Sequence, residues 1–206
     1  MKIEKLKQID STQTFLSNRI RNGLSDEVLF WTEKQTAGIG SRGNEWIGKE
    51  GNLFFSFSIS ANRLPSDLET QSVSIYFAYL FKSHLESLQS NIFLKWPNDF
   101  YLKNKVGGVV ANLIKETFVI GIGINRFSVE NFGKLDLEIS NNEILQIFVP
   151  KLENLPNWKS VFEKYKKEFE KSRTFETTFE NKKISLEEAS LNPDGSILLN
   201  GKRLYR

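Results

Sequence analysis

Cysteine is absent from the 206 residues, and histidine occurs once, as His84. The chain therefore has no disulfide, no thiol nucleophile and no thiolate metal ligand. One histidine is too few for a histidine-rich zinc site, and it excludes a Ser-His-Asp triad unless His84 itself serves in one. We expect His84, within a predicted helix, to be structural or exposed. An enzyme built from this sequence would work by positioning substrates and stabilising charge.

The sequence also lacks a long apolar run and a marked excess of either charge. No segment approaches the ~18 apolar residues of a membrane span, and the opening residues 1–6 have no apolar signal segment. The formal net charge is +3 and is spread along the chain, so a nucleic-acid groove is not indicated. These features predict a cytoplasmic protein that uses neither a membrane nor a nucleic acid.

One stretch, residues 35–57, is rich in glycine, which is rarer elsewhere in the chain. It contains Gly38, Gly40, Gly43, Gly48 and Gly51, and we call residues 38–51 the glycine loop. Glycine loses more backbone entropy on folding than any other residue, so a stiff resting loop is not expected. We give equal weight to a long flexible hairpin connection and to a loop that approaches or closes on a ligand.

Gly38, Gly40 and Gly43 match the G-x-G-x-x-G dinucleotide fingerprint, which we reject. That fingerprint needs a preceding strand, a following helix and an acidic residue roughly 20 positions on. Residues 44–52 carry two more glycines and no apolar period of 3.6, and Arg63 stands where the acid should be. No P-loop motif occurs either, so any nucleotide must be held in another way.

Hydrophobic periodicity predicts an α/β (α+β) fold, with a mixed β-sheet flanked by helices. A first helix should begin after the capping side chains of Asp10–Thr12 and end at Gly23. A long buried helix should run from Pro65 to about Gln89, with Ser66 and Glu69 in capping-box spacing. Predicted strands cover 2–9, 28–32, 53–60, 92–96, 100–102, 106–114 and 118–124, and further helices cover 142–148 and 158–171.

From Arg173 onward, short strand candidates separated by turn signals predict a small C-terminal β unit. We therefore divide the chain into a catalytic domain, residues 1–172, and a small β domain, residues 173–206.

Charged and glycine-rich segments fall at the predicted strand ends. Lys95 and Lys105 flank Asp99 within one short hairpin, and two further glycine-rich segments follow. Two lysines and an aspartate are often plain surface charge. Together with the glycine loop, they favour an anionic ligand such as a phosphate or a carboxylate. Trp46 could stack on a base or cap a core, and the sequence leaves both open.

Five motifs in this order resemble those of biotin protein ligases. They are Gln35-x-x-Gly38-x-Gly40-x-x-Gly43-x-x-Trp46, Gly51-Asn52-Leu53, Lys95-Trp96-Pro97-Asn98-Asp99, Lys105-Val106-Gly107-Gly108 and Gly121-Ile122-Gly123-Ile124-Asn125. Asp10-Ser11-Thr12-Gln13 is similar to the family's early Ser-Thr motif. The resemblance spans about residues 1–126, and the tail is similar in position to the family's SH3-like domain. Because the first motif starts at Asp10, the resemblance implies a short form without the N-terminal DNA-binding domain.

The resemblance implies an ATP-dependent ligase that works in two steps. Biotin and ATP, with Mg²⁺, give biotinyl-5′-AMP and pyrophosphate. A lysine of a biotin carboxyl carrier protein, such as a subunit of acetyl-CoA carboxylase, then takes the biotinyl group. The resemblance also allows a homodimer. The alternatives are a lipoate-protein ligase-like enzyme and a biotin-binding protein with weakened catalysis.

The resemblance also implies roles for individual residues. The biotin-binding residues are Ser11, Thr12, Gln35, Gly38, Gly107 and Gly108. The catalytic residues are Lys105, at the biotin carboxyl and the α-phosphate, and Asp99, which would hold Mg²⁺ or orient the attacking amine. The ATP- and adenylate-binding residues are Gly40, Arg42, Gly43, Trp46, Lys95, Asn98 and Asn125.

The glycine loop departs from the family pattern. The family has arginines at the positions of Ile39, Ser41 and Asn44, whose side chains carry no charge here. Arg42 keeps a guanidinium in the loop, able to bind a phosphate in a bidentate way, and Lys49 is a second substitute. We therefore expect Arg42 to help retain the adenylate.

Overall fold

The computed structural model describes residues 1–40, 45–46, 48–128, 131–180 and 182–205. Its helices are α1 (Thr12–Arg21), α2 (Val73–Ser87), α3 (Asn141–Phe148) and α4 (Trp158–Ser172). Its strands are β1 (Lys2–Lys5), β2 (Val28–Thr32), β3 (Gly38–Ile39), β4 (Glu45–Trp46), β5 (Leu53–Ser60), β6 (Phe93–Lys95), β7 (Asp99–Tyr101), β8 (Lys105–Ile114), β9 (Thr117–Ile124), β10 (Glu176–Phe179), β11 (Lys182–Ser185), β12 (Ser190–Leu191), β13 (Ile197–Leu199) and β14 (Lys202–Leu204).

The central sheet contains seven strands in the order β1-β2-β5-β9-β8-β7-β6. β1 pairs with β2 in parallel, and the other neighbours are antiparallel, so the predicted mixed sheet is confirmed. β9 lies between β5 and β8 and pairs with each over eight residues. Gly121 and Gly123 of β9 are thereby placed near the middle of the sheet.

Strand β2 shows how the sheet separates two hydrophobic clusters. Leu29 and Trp31 belong to the main core, whereas Val28 and Phe30 pack with Leu16 of α1 on the other face. Alternate side chains of a strand point to opposite faces, and all of β2 is buried, so both faces are covered. Helix α1 therefore lies on the face away from the main core, and the predicted N-cap is confirmed as Ser11.

Aromatic rings fill the main core between the sheet and the helices. Phe55 and Phe57 of β5 meet Phe77, Phe81 and Phe148 in tilted or edge-on contacts, with ring centroids 5.2 to 6.3 Å apart. Such geometries suit the quadrupoles of aromatic rings. Among the described residues, no helix combines the length and the apolar character needed to cross a bilayer.

The small C-terminal β unit is confirmed and consists of a two-stranded sheet, β10-β11, and a three-stranded sheet, β12-β13-β14. The buried C-terminal residues that join the main core are Leu186, Ala189, Ile197, Leu199 and Leu204. The division of the chain after residue 172 stays a prediction.

The predicted long helix from Pro65 with its capping box is wrong in its first turns. Residues 70–72 form a 3₁₀ turn, and α2 begins at Val73. Asp67 caps a different helix, since its carboxylate accepts hydrogen bonds of 2.9 Å from the backbone N–H groups of Trp158 and Lys159 at the start of α4. Burial alone would raise the pKa of Asp67, but these bonds lower it below its usual value. Asp67 thus caps a helix that is distant in sequence.

His84 of α2 is buried, and we predict that it makes stability depend on pH. Its Nε2 lies 2.9 Å from the carbonyl oxygen of Ile144, and burial beside the Lys151 ammonium lowers its pKa to about 4. Between about pH 6.5 and pH 4 the unfolded chain binds the extra proton, so acidification favours unfolding. The free energy of unfolding should fall by about 2 kcal/mol between about pH 7.5 and pH 5.

Urea unfolding of the wild type and of His84→Phe at these two pH values measures this effect. The variant should lack this part of the pH dependence even if it is less stable at both. An equal loss of stability in the two proteins would show that His84 does not titrate in this way.

Candidate active site

A cavity of about 250 Å³ lies on the α1 face of the sheet. Its lining comes from the N-terminus of α1, the glycine loop, β5 and the adjoining parts of β7, β8 and β9. The predicted site residues that line it are Ser11, Thr12, Gln35, Gly40, Trp46, Asp99, Lys105, Gly108 and Asn125. Residues from five separate motifs therefore meet at one place.

Other predicted site residues lie outside this lining. Lys95 lies over the rings of Tyr101 and Phe175, with Nζ 5.3 and 5.6 Å from their centroids. Asn98 donates from Nδ2 to the carbonyl oxygen of Val109 at 2.7 Å. The roles proposed for these residues in binding ATP stay predictions.

The remaining predicted positions are glycines and loop cations. Gly38 packs beside Trp46, and Gly107 packs against the backbone of β9. Arg42 and Gly43 lie outside the described residues. Lys49 donates to the carbonyl oxygen of Ser128 at 3.2 Å and is not among the residues that line the cavity.

Two glycines of β9 at the bottom of the cavity leave space for side chains of α1 and of the glycine loop. A Cβ at Gly121 would lie 2.4 Å from Gln13 Oε1 of α1. A Cβ at Gly123 would lie 3.2 to 3.5 Å from the indole of Trp46. These positions exclude larger residues because α1 and the glycine loop reach down to the backbone of β9.

In the described part of the glycine loop, two short antiparallel strands pair Gly38 with Trp46. Gly40 and Trp46 also line the cavity, and the expectation that the loop approaches or closes on a ligand stays a prediction. The Trp46 indole rests on Gly123, and Lys105 Nζ lies 5.7 Å from a Trp46 ring centroid. Trp46 Nε1 is buried and has no hydrogen-bond partner among the described residues, which leaves one donor at the cavity wall.

Hydrogen-bonding side chains surround Thr12. The backbone N–H of Thr12 donates to Gln35 Oε1 at 2.8 Å, and its hydroxyl lies 3.1 Å from the same oxygen. Ser56 Oγ lies 2.9 Å from Thr12 Oγ1 and 3.1 Å from Gln13 Oε1. The sequence reasoning missed Gln13 and Ser56 as site residues. The available signal was the strand alternation, which turns Ser56 away from the core that Phe55 enters.

An ion pair lies further along the same wall. Lys105 Nζ is 2.8 Å from Asp99 Oδ1, and their side chains are 25% and 13% exposed. A Cβ at Gly108 would lie 3.1 Å from that carboxylate oxygen, and Gly108 pairs with Gly123 in the sheet. Because Gly121 beneath Gln13 is two residues away along β9, the two groups are about 7 Å apart along the strand. One cavity thus has a hydrogen-bonding part and a charged part.

Asn125, beside the charged part, is held by Asn52, which the sequence reasoning gave no role. Asn52 Nδ2 donates to Asn125 Oδ1 at 3.1 Å. Asn52 Oδ1 accepts from the backbone N–H groups of Arg126 and Phe127. The loop after β9 is therefore tied to the start of β5.

The turn that carries Asp99 is fixed from behind by α4 and the C-terminal unit. The backbone N–H of Trp96 donates to Ser172 Oγ at 2.7 Å, and its indole N–H donates to the carbonyl oxygen of Gly195 at 2.8 Å. Tyr165 donates to the carbonyl oxygen of Pro97 at 2.8 Å, and the Trp96–Pro97 peptide is cis. Each bond uses a buried polar group, so the turn is anchored on the side away from the cavity.

The described residues do not form a metal centre of their own. No group of three or more His, Asp or Glu side chains among them could hold a metal ion. Asp99 offers one carboxylate to the cavity, and it is already paired with Lys105. Since Mg²⁺ in nucleotide enzymes relies on substrate phosphates and water beside one or two carboxylates, the role of Asp99 as a metal ligand stays a prediction.

The model of the biotin/lipoate A/B protein ligase family matches residues 6–125, which include the motifs that line the cavity. The chain belongs to this family. Among relatives, the human biotin–protein ligase is 36% identical over a match of 109 residues that covers 48% of this chain and 15% of that protein. The biotin–protein ligase of Schizosaccharomyces pombe is 30% identical over a match of 152 residues that covers 61% of this chain and 23% of the relative. The chain thus spans a small part of these two family members.

Solved structures of the family extend the similarity to the whole chain. The biotin acetyl coenzyme A carboxylase synthetase of Helicobacter pylori, with bound biotinylated ATP, is 38% identical, with a TM-score of 0.95. The match covers 100% of this chain and 99% of the H. pylori chain. The biotin protein ligase of Aquifex aeolicus, in complex with biotin and ATP, matches 100% of this chain and 95% of its own at a TM-score of 0.70. At 22% identity, the Aquifex match shows the fold alone.

Two adjacent glycines of β8 allow a paired prediction. A Cβ at Gly107 would lie 2.4 Å from the carbonyl oxygen of Gly123, so Gly107→Ala should force β8 and β9 apart and cost about 3 kcal/mol of unfolding free energy. Gly108→Ala comes closer than an ordinary contact only to the Asp99 side chain, at 3.1 Å, and should cost less than about 1 kcal/mol while displacing the carboxylate. Chemical denaturation of the two variants measures both values, and equal losses would contradict this description of the strands.

Proposed function

We propose that the chain is a biotin protein ligase that activates biotin with ATP and transfers it to a lysine of a biotin carboxyl carrier protein. The observation that carries this proposal is that one cavity sets the polar groups around Thr12 about two residues along β9 from the Lys105–Asp99 pair. A bicyclic urea with an acidic side chain needs those two environments in one pocket. The similarity to the H. pylori protein along the full chain supports the same substrate.

In the first step an oxygen of the biotin carboxylate attacks the α-phosphorus of ATP. The bond between the α-phosphorus and the bridging oxygen breaks, and pyrophosphate leaves with its electron pair. Among the described residues that line this part of the cavity, Lys105 is the cation, and it would contact the carboxylate and the α-phosphate, which must approach each other although both are anions. A fixed ammonium group stabilises the charge that builds up there.

The two residues beside Lys105 have supporting roles. Asp99 holds the ammonium in place before substrates arrive, at 2.8 Å. Trp46, with its ring on Gly123 and Lys105 above it, covers the wall where the adenylate would lie. Keeping water from a mixed anhydride prevents its hydrolysis. Mg²⁺, bound with the phosphates of ATP, would supply further charge neutralisation.

In the second step the ε-amine of a lysine on the carrier protein attacks the acyl carbon of biotinyl-5′-AMP. The amide bond forms, the amine loses a proton and AMP leaves. Asp99 is a carboxylate at the cavity wall that could orient the amine once Lys105 engages the phosphate. The proposed partner is a carboxyl carrier domain. The proposed compartment is the cytoplasm, because the reaction consumes ATP. A homodimer stays a prediction.

Lipoate is the nearest alternative substrate, and the cavity argues against it. The lipoyl dithiolane ring has neither N–H groups nor a carbonyl. The polar side chains of Thr12, Gln35, Ser56 and Gln13 all border the cavity, so a dithiolane would leave them facing an apolar ring. A dithiolane would keep water from these polar groups and offer them no hydrogen bond in its place, which favours a ligand with a urea.

Pyrophosphate release from ATP tests the proposal with biotin, with lipoate and with neither present. Release that depends on biotin supports a biotin ligase. Release that depends on lipoate overturns the choice of substrate, and no release with either overturns the activity itself.

Lys105→Ala is predicted to reduce the rate of biotinyl-5′-AMP formation at saturating biotin and ATP by about 100-fold, because a charge-assisted contact in the cavity is lost. Lys103→Ala is the matched control, since Lys103 is an exposed lysine of the same β7–β8 hairpin. Its rate should stay within about twofold of wild type. A rate for Lys105→Ala that equals that of Lys103→Ala would remove Lys105 from the reaction.

A further inference from the structure

Gln13 lies beneath the cavity with a fixed amide orientation. Its Nε2 is 3.0 Å from the carbonyl oxygen of Val119 and 3.4 Å from Asn112 Oδ1. A carbonyl oxygen can only accept, so the group that faces Val119 must be the NH₂. Gln13 Oε1 therefore points the other way, toward Ser56, in the space that the missing side chain of Gly121 leaves.

The amide oxygens of Gln35 and Gln13 are acceptors at the two ends of a row of four oxygens. Gln35 Oε1, Thr12 Oγ1, Ser56 Oγ and Gln13 Oε1 follow one another at 3.1, 2.9 and 3.1 Å. The two hydroxyls supply two hydrogens for these three contacts, and the oxygen at either end can only accept. Both hydroxyl hydrogens are therefore directed along the row, within the protein.

Thr12 consequently lies between two oxygens of this row. Gln35 Oε1 accepts the backbone N–H of Thr12 at 2.8 Å and lies 3.1 Å from the Thr12 hydroxyl. Whether the hydroxyl hydrogen of Thr12 goes to Gln35 Oε1 or to Ser56 Oγ, it is held within the protein. The remaining direction at Oγ1, toward the cavity, carries a lone pair. Thr12 therefore meets a ligand as an acceptor.

Gln35 completes the pattern. Gln35 Oε1 accepts a hydrogen bond from the backbone N–H of Thr12, so the Gln35 NH₂ group is the part that can donate to a ligand in the cavity. An acceptor beside a donor fits a ligand that presents an N–H next to a carbonyl. A cyclic urea has this arrangement, and a dithiolane ring does not.

We propose that Gln13 and Ser56 are positioning residues which, through Thr12, make the site selective for a ligand with an N–H donor. The inference rests on the proposed function, because the ligand in question is biotin. Both residues border the cavity, and their effect on the ligand passes through the Thr12 hydroxyl. Their loss should therefore weaken biotin binding while leaving ATP binding unaffected.

Ser58 provides a matched control. It lies on the same face of β5 as Ser56, is equally buried, and is not among the residues that line the cavity. Its hydroxyl accepts from the backbone N–H of Val28 at 3.0 Å and donates to the carbonyl oxygen of Asp26 at 3.1 Å. Ser58→Ala thus removes a buried serine hydroxyl of the same strand without touching Thr12.

The test compares KM values for biotin and for ATP in biotin-dependent pyrophosphate release. Ser56→Ala should raise the KM for biotin about tenfold and leave the KM for ATP within about twofold. Gln13→Met, which keeps the side-chain length without the amide, should shift the KM for biotin in the same direction. Ser58→Ala should change neither KM, although all three variants should lower the melting temperature.

Two biotin analogues, each methylated on one ureido nitrogen, test the polarity of Thr12. The wild type and Ser58→Ala should lose the same factor of affinity with each analogue. In Ser56→Ala the factor should shrink for the analogue that lacks the N–H facing Thr12, because the Thr12 hydroxyl then keeps only one of the two oxygens that orient it.

If Ser56→Ala and Gln13→Met match Ser58→Ala in both KM and analogue discrimination, the inference is overturned and the proposed function stands. A wild type without biotin-dependent pyrophosphate release overturns both.

Discussion

Strand β9 must have glycine where α1 and the glycine loop pack against its backbone, and the rest of the site depends on this constraint. Gly121 admits the amide of Gln13, and Gly123 admits the indole of Trp46. Gly108, opposite Gly123, leaves room for the Asp99 carboxylate. A side chain at Gly121 would displace the Gln13 amide, and one at Gly123 or Gly108 would shift the indole of Trp46 or the carboxylate of Asp99. The cavity exists because elements from distant parts of the chain rest directly on one strand.

The core and the site make opposite uses of the same strands. Along β5, Phe55 and Phe57 enter the aromatic core, whereas Ser56 and Ser58 face α1 and donate or accept hydrogen bonds. Dense packing on one face keeps the strand in register, so the serines on the other face are placed accurately. Behind the charged part of the cavity, Trp96 is tied to α4 and to the C-terminal unit. The aromatic core, α4 and the C-terminal unit thus hold the polar and charged groups of the cavity in position.

Local patterns in the sequence predicted the elements, and the motifs predicted which of them meet. The cap at Ser11, the alternation of β5 and the hairpin around Lys103 all depend on neighbours in the chain. The start of α2 could not be predicted this way, because Asp67 bonds to residues 91 and 92 positions away. Gln13 and Ser56 escaped notice for the same reason, since Gln13 contacts Val119, 106 residues away. Lys95 belongs to a site motif, but nothing in the motif predicts that it lies over the rings of Tyr101 and Phe175.

Under the proposed function, one cavity binds biotin and nucleotide together and should retain their joint product. The most direct measurement is gel filtration after incubation of the protein with ATP labelled at its α-phosphate, with and without biotin. The label should elute with the protein only when biotin is present, and it should leave as AMP when a carboxyl carrier domain with an unmodified lysine is added. Label that binds equally without biotin, or that never elutes with the protein, would contradict a shared site for activation and transfer.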